Sequence, residues 1–214
     1  MKDARLPDPL ICFGDSLTQG DPHPEADKWT TRLQWLLEQS RPGRCKVYVR
    51  GVAGSTTAQG LDRIGEAVLS LPPGRVLVAF GINDCNVRPD RRTPRVAVGE
   101  FASNLREIVR MVRAAGGTPL LLAPHYPEPD RRDEQSRKYD QGNGATYAEN
   151  FRPYHLATCD AAQECGVPLI DMPRLLAGAG ACAADLLMPD GVHLTAAGNL
   201  FYAEQVYRSL ENEA

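Results

Sequence analysis

The sequence predicts a single α/β domain in which a parallel sheet is covered by helices on both faces. Five short apolar runs, Leu10–Phe13, Val47–Val49, Val76–Phe80, Leu120–Ala123 and Val167–Ile170, lack polar alternation and so read as strands buried on both sides. Segments with helical spacing separate these runs, which is the order of β-α units that feed a parallel sheet. A length of 214 residues with 43% hydrophobic side chains suits one domain, spanning 1–214, with a sizeable core.

Taken in order, the first strand runs into a tract from Phe13 to Gly20. The helix that follows carries Trp29, Leu33, Leu36 and Leu37 on one face, with Trp29 and Trp35 expected in the core or at an interface. After the second strand, Leu61, Ile64, Val68 and Leu71 mark the next helix. After the third, Phe101, Leu105, Ile108 and Val112 mark another. Ala196, Leu200, Ala203, Tyr207 and Leu210 mark the last. The expected order is βαβαβαβαβα. The one long irregular segment, 124–144, carries Pro127, Pro129 and a charge-dense stretch from Asp130 to Asp140. It is either a solvated loop or a lid or pocket wall, since loops this long in compact domains are often functional.

Composition narrows the partner. With 27 acidic against 24 basic residues, the chain has no general attraction for nucleic acid or anionic membranes, and a small molecule is expected instead. The first thirteen residues hold only the four-residue run Leu10–Phe13, too short for a signal-peptide core, and no stretch approaches a membrane span. The chain therefore reads as cytoplasmic. Six cysteines, Cys12, Cys45, Cys85, Cys159, Cys165 and Cys182, form no C-x-x-C pair, so neither a zinc nor a redox motif is spelled out and free thiols are expected.

In a doubly wound sheet, ligands bind outside the carboxyl ends of the strands. The unusual polar clusters fall in the loops there. Ser16, in Gly14-Asp15-Ser16-Leu17, follows the first strand, where Gly14 permits a tight turn and the hydroxyl sits at a helix N-terminus. Asp15, Ser16 and Thr18 are also good helix caps, so the tract alone does not decide. Near the other end, Pro189-Asp190-Gly191-Val192-His193 places a carboxylate and an imidazole three residues apart just before the last helix. Asp190 can then fix the tautomer of His193 while the other ring nitrogen faces Ser16 as general base. Gly51-Val52-Ala53-Gly54-Ser55-Thr56-Thr57 and Gly81-Ile82-Asn83-Asp84 follow the second and third strands. The N–H groups of Ser16 and Gly54 with the side-chain amide of Asn83 would make a three-donor oxyanion hole, each donor worth about 2.7–4 kcal/mol in a transition state.

The four blocks Gly14-Asp15-Ser16-Leu17, Gly54, Gly81-Ile82-Asn83-Asp84 and Asp190-Gly191-Val192-His193 resemble, in order, those of the GDSL or SGNH hydrolases. The resemblance covers residues 14–193. It implies Ser16 as nucleophile, His193 as base, Asp190 as its orienting acid, and Ser16, Gly54 and Asn83 as oxyanion donors. It further implies a flavodoxin-like three-layer αβα sandwich with strand order 2-1-3-4-5, no metal and no organic cofactor. Val49 stands where many members carry Asn, five residues before the second-block glycine, which is expected to alter local support and not chemistry. The family hydrolyses short alkyl, aryl and sugar acetyl esters, lysophospholipids and thioesters, and some members transfer acyl groups. The expected activity is a serine esterase acting on small acyl groups, with a lysophospholipase, thioesterase or acyltransferase as the alternative.

A flavin-phosphate module on the same sheet would leave Asp190 and His193 unexplained, and no Walker tract is present. His125 and Tyr126, just after the fourth strand, are expected to border the pocket. Arg88, Arg91, Arg92 and Arg95 read as a solvated loop, and Cys85 lies near the site without a base partner.

Overall fold

The computed structural model describes residues 8–129, 134–180 and 183–212. The chain forms a five-stranded parallel sheet of order β2-β1-β3-β4-β5. The strands are β1 (Asp8–Gly14), β2 (Cys45–Gly51), β3 (Arg75–Ala79), β4 (Thr118–Ala123) and β5 (Leu169–Asp171). Each contains or overlaps one of the apolar runs. The helices are α1 (Ser16–Gln19), α2 (Trp29–Ser40), α3 (Thr57–Ile64), α4 (Ile82–Cys85), α5 (Val98–Ala114), α6 (Tyr147–Cys165), α7 (Met172–Ala179), α8 (Ala183–Leu186) and α9 (Ala196–Asn212). One layer packs α2 against α9, while α3, α5 and α6 pack in series in the other. This is the expected αβα sandwich.

The core forms between these layers. Phe13 and Phe80 meet edge to face at 5.3 Å, and Phe101 meets Tyr154 likewise at 5.1 Å, geometries that aromatic quadrupoles favour. Trp29 is buried and donates its indole N–H to the Leu17 carbonyl at 2.7 Å. Trp35, on the other side of α2, is exposed. Cys12, Cys45, Cys85, Cys159 and Cys165 are free thiols, and Cys182 lies outside the described residues.

Two elements depart from the expectation. β2 is not buried on both faces, for it is half-buried along nearly its whole length. The reason is its place at the sheet edge, paired only with β1. Gln34 of α2 covers that edge, donating to the Cys45 carbonyl at 3.1 Å and accepting from the Val47 N–H at 2.7 Å. The second is α6, whose hydrophobic face is built from Tyr147, Phe151, Tyr154, Thr158 and Ala161 around an internal Pro153, so no run of large aliphatics marks it. Its capping box does: Thr146 accepts from the Glu149 N–H while the Glu149 carboxylate accepts from the Thr146 N–H.

Two glycines place the functional loops. A Cβ on Gly14 would lie 2.2 Å from the Thr18 hydroxyl and 2.4 Å from the Ala79 carbonyl, so only glycine lets β1 turn into α1 against β3. Gly191 has φ +63°, and a Cβ there would lie 2.0 Å from the Glu128 backbone. Instead the Glu128 N–H donates to the Gly191 carbonyl at 2.8 Å, and the Ser136 hydroxyl donates to the Pro189 carbonyl at 2.9 Å. The described part of the 124–144 segment is thereby tied to the Asp190–His193 loop, while 130–133 lie outside the described residues. No helix among the described residues is long and apolar enough to cross a membrane.

Candidate active site

The carboxyl ends of β1, β2 and β3 and the turn before α9 converge on Ser16. Asp15 caps α1 by accepting the Leu17 N–H at 3.0 Å, which leaves Ser16 as the first helical residue, its N–H without an intrahelical acceptor. Arg63 secures the strand end below, donating to the Gly14 carbonyl at 2.6 Å and the Arg50 carbonyl at 3.0 Å, with its guanidinium over the Phe13 ring.

Residues 177 apart in sequence meet here. The His193 Nε2 lies 3.1 Å from the Ser16 Oγ, and its Nδ1 lies 2.7 Å from the Asp190 Oδ2. The other Asp190 oxygen accepts the N–H groups of Val192 at 3.0 Å and His193 at 2.9 Å. Burial opposes ionisation of Asp190, but the hydrogen bonds from the His193 ring and from these two N–H groups outweigh it, and the carboxyl titrates at about 2. An ionised Asp190 accepts from Nδ1–H, which directs the lone pair of Nε2 at Ser16.

Asn83, on α4, donates its amide to the Asp15 Oδ2 at 3.1 Å, using one of its two N–H bonds and leaving the second for a ligand. Gly54 lies exposed on the β2–α3 turn, and a Cβ there would meet nothing within 4 Å. Below these donors, the fully buried Asp84 accepts both the N–H of Thr57, at 2.9 Å, and its hydroxyl, so α4 is fastened to the start of α3. Burial raises Asp15 to about 7 and Asp84 to about 6. Cys85 is buried and its thiol is pushed up, first by burial and then by the neighbouring Asp84, consistent with a packing residue.

Arg95 belongs to this site, contrary to its reading as part of a solvated loop. It donates to the Gly54 carbonyl at 2.9 Å and approaches the Asn83 Oδ1 at 3.5 Å and the Gln59 Oε1 at 3.4 Å. No spacing rule announces it, because the intervening loop returns it to Asn83 from 12 residues away. His23 is a second residue of this site that no spacing rule marks. Its Nε2 lies 2.6 Å from the Leu194 carbonyl, and it lines the small cleft that holds Ser16 and His193.

His125 and Tyr126 require a correction. His125 is 1% exposed, with Nδ1 2.6 Å from the Tyr202 hydroxyl and Nε2 3.0 Å from the Val192 carbonyl. Both nitrogens are engaged behind the Asp190–His193 loop, so the ring supports that loop and has no nitrogen left for a ligand. The Tyr126 hydroxyl lies 3.0 Å from the His155 Nδ1, and its ring packs on Phe151, which aims it at α6.

The cleft at Ser16 is small, about 10 Å³, and is lined by Leu17, His23, His193 and Leu194 among others. A cavity of about 290 Å³ adjoins the Asp190–His193 loop, lined by Pro127, Glu128, Tyr139, Gln141 and Tyr147. A larger cavity, about 790 Å³, lies at the opposite ends of the strands, around Asp8, Arg75 and Thr118, and Ser16, His193 and Asp190 do not line it.

A parallel αβα sandwich with a hydrogen-bonded Ser-His-Asp chain at the carboxyl edge of its sheet defines a class of α/β hydrolytic scaffolds. Within it, residues 12–200 match the GDSL-like Lipase/Acylhydrolase family, and the chain belongs to that family of esterases and acylhydrolases. It is similar to the isoamyl acetate-hydrolyzing esterase 1 homolog of Bos taurus, 28% identical over 95% of this chain and 82% of that protein. It also resembles the thioesterase 1/protease 1/lysophospholipase L1 of Escherichia coli, 27% identical over 67% of this chain and 62% of that protein. Among solved structures, a lipase/acylhydrolase from Enterococcus faecalis superposes with a TM-score of 0.75 at 21% identity, covering 96% of each chain. That similarity extends to the fold.

Proposed function

We propose that the chain is a serine-dependent carboxylic ester hydrolase for small acyl groups, acetyl esters foremost. The observation that carries this reading is the continuous chain Asp190 Oδ2, His193 Nδ1, His193 Nε2 and Ser16 Oγ, with links of 2.7 and 3.1 Å. In the first half-reaction the Ser16 oxygen attacks the ester carbonyl carbon as its proton passes to the His193 Nε2. The oxyanion is met by the N–H groups of Ser16 and Gly54 and by the free amide hydrogen of Asn83. Collapse breaks the bond to the alcohol, which takes the proton from His193 and leaves an acyl-Ser16 ester. Water, deprotonated by the same nitrogen, then releases the acid.

One observation favours small acyl groups: a relative matching nearly the whole chain is named for hydrolysing isoamyl acetate. The described part of 124–144 forms a wall of the cavity of about 290 Å³ beside the Asp190–His193 loop. The test is a series of p-nitrophenyl esters of increasing acyl length, run on the wild type and on Ser16→Ala. Turnover should be highest for acetate and abolished in the variant. Preference for long acyl chains or acyl-thioesters would support the second reading, a lysophospholipase or thioesterase, which the similarity to the Escherichia coli protein brings forward.

A further inference from the structure

Away from Ser16, α6 and the end of β5 bring together three side chains of metal-ligating type. His155 and Cys159 are four residues apart in α6, a spacing that sets both on one helix face. Asp171 closes the edge strand β5. Each offers one ligand atom, and these atoms all lie within 4.8 Å of one another. The His155 Nε2 is 3.1 Å from the Asp171 Oδ1, and all three residues are half-buried.

We propose that His155, Cys159 and Asp171 form a binding site for a divalent cation of the zinc class, separate from the esterase centre. Zinc takes one thiolate sulfur, one imidazole nitrogen and one carboxylate oxygen at distances of about 2.0–2.3 Å in a tetrahedron, and water fills a fourth position. Ligand atoms in such a site stand roughly 3.2–3.6 Å apart. The imidazole and carboxylate, 3.1 Å apart, stand just short of that spacing, and the Cys159 sulfur lies within 4.8 Å of both ligand atoms. A thiol beside an imidazole selects zinc or a similar borderline metal over magnesium or calcium, which require oxygen ligands.

The surroundings support the same reading. The Tyr126 hydroxyl sits 3.0 Å from the His155 Nδ1, the place where a ligating histidine usually holds an outer partner. The Asp171 Oδ1 also accepts the Arg174 N–H at 3.1 Å as the cap of α7, so the carboxylate is fixed by the backbone. On binding, the thiol proton is released to solvent. The imidazole proton moves from Nε2 to Nδ1, where it donates to the Tyr126 oxygen. A cysteine-nucleophile reading is disfavoured because both nitrogens of His155 are engaged, by Asp171 and Tyr126. The bound ion would staple α6 to the β5–α7 junction and, through Tyr126, to the end of β4.

The test is titration of the metal-stripped, tag-free full-length protein with cobalt(II). One equivalent should bind with a near-ultraviolet thiolate-to-cobalt charge-transfer band, which zinc then bleaches. Cys159→Ser should abolish the band, His155→Gln should weaken binding, and Tyr126→Phe should weaken it roughly 10–100-fold. Ser16→Ala and His193→Ala should titrate as wild type, which separates this site from the Ser-His-Asp chain and makes the result independent of the esterase reading. A measurement on the wild type alone accompanies it. Zinc should protect Cys159 from iodoacetamide and leave Cys45 and Cys165 unchanged, as read by peptide mass. No charge-transfer band at submillimolar cobalt, a band that survives Cys159→Ser, or alkylation of Cys159 indifferent to zinc would each overturn the proposal.

Discussion

The guanidinium of Arg95 donates to the carbonyl oxygen of Gly54 at 2.9 Å. The same nitrogen approaches the Asn83 Oδ1 at 3.5 Å, while Asp15 accepts from the Asn83 Nδ2 at 3.1 Å. One cation thus braces two of the three proposed oxyanion donors, and Asn83 is held from both ends of its amide. Arg95→Ala should lower kcat about tenfold, a fraction of the effect of deleting a donor, with KM little changed. Added guanidinium should restore part of the rate. Arg95→Lys should recover less than the native side chain, since an ammonium cannot reach several acceptors with one planar group. An unchanged kcat in Arg95→Ala would remove it from the site.

Asn83→Ala deletes a donor outright and should cost about 10²–10³ in kcat. Because Arg95 acts through the groups it braces, Arg95→Ala should cost less in the Asn83→Ala background than in the wild type. Full additivity in steady-state kinetics of the four proteins would show that the two residues act separately.

His125 gives a stability prediction with a definite sign. Burial lowers it from 6.5 to about 4, so between those values the unfolded chain binds the proton that the folded chain refuses. The folded state therefore loses stability as pH falls from about 6.5 to 4, by an amount on the order of 3 kcal/mol from this group. In urea unfolding at pH 7 and pH 4, His125→Gln should lose less stability between the two than the wild type does. An equal loss would contradict the buried neutral imidazole.

Asp84 has the opposite sign. Burial raises its carboxyl from 3.8 to about 6 against the hydrogen bonds from Thr57, so the folded state holds a proton that the unfolded chain releases, and stability is lost as pH rises through this window. Asp84→Asn keeps an acceptor for Thr57 without the charge. Relative to wild type it should gain stability between pH 4 and pH 7, by an amount on the order of 3 kcal/mol. The same pair of unfolding curves checks this, and a pH-independent difference would contradict it.

Much of this arrangement is legible in the sequence because it rests on local rules. The five apolar runs mark the strands, since a doubly covered strand needs no polar alternation. Ser16, Gly54, Asn83, Asp190 and His193 stand out because each lies in a short polar block that follows a strand or precedes a helix at one end of the sheet. What escapes is set by contacts that no period encodes. Arg95 reaches Gly54 only because its loop folds back. His125 turns inward to Tyr202, on a helix 77 residues away. The interior face of α6 mixes aromatic hydroxyls, threonine and alanine around a proline, and β2 is half-buried because strand order places it at the edge.

The most direct test of the central claim is intact-mass and peptide analysis after treatment with a fluorophosphonate, with esterase activity followed in parallel. The wild type should gain one adduct, on Ser16, and lose p-nitrophenyl acetate hydrolysis in proportion, while Ser16→Ala should neither label nor turn over. Labelling at another residue, or hydrolysis that persists in Ser16→Ala, would contradict the account.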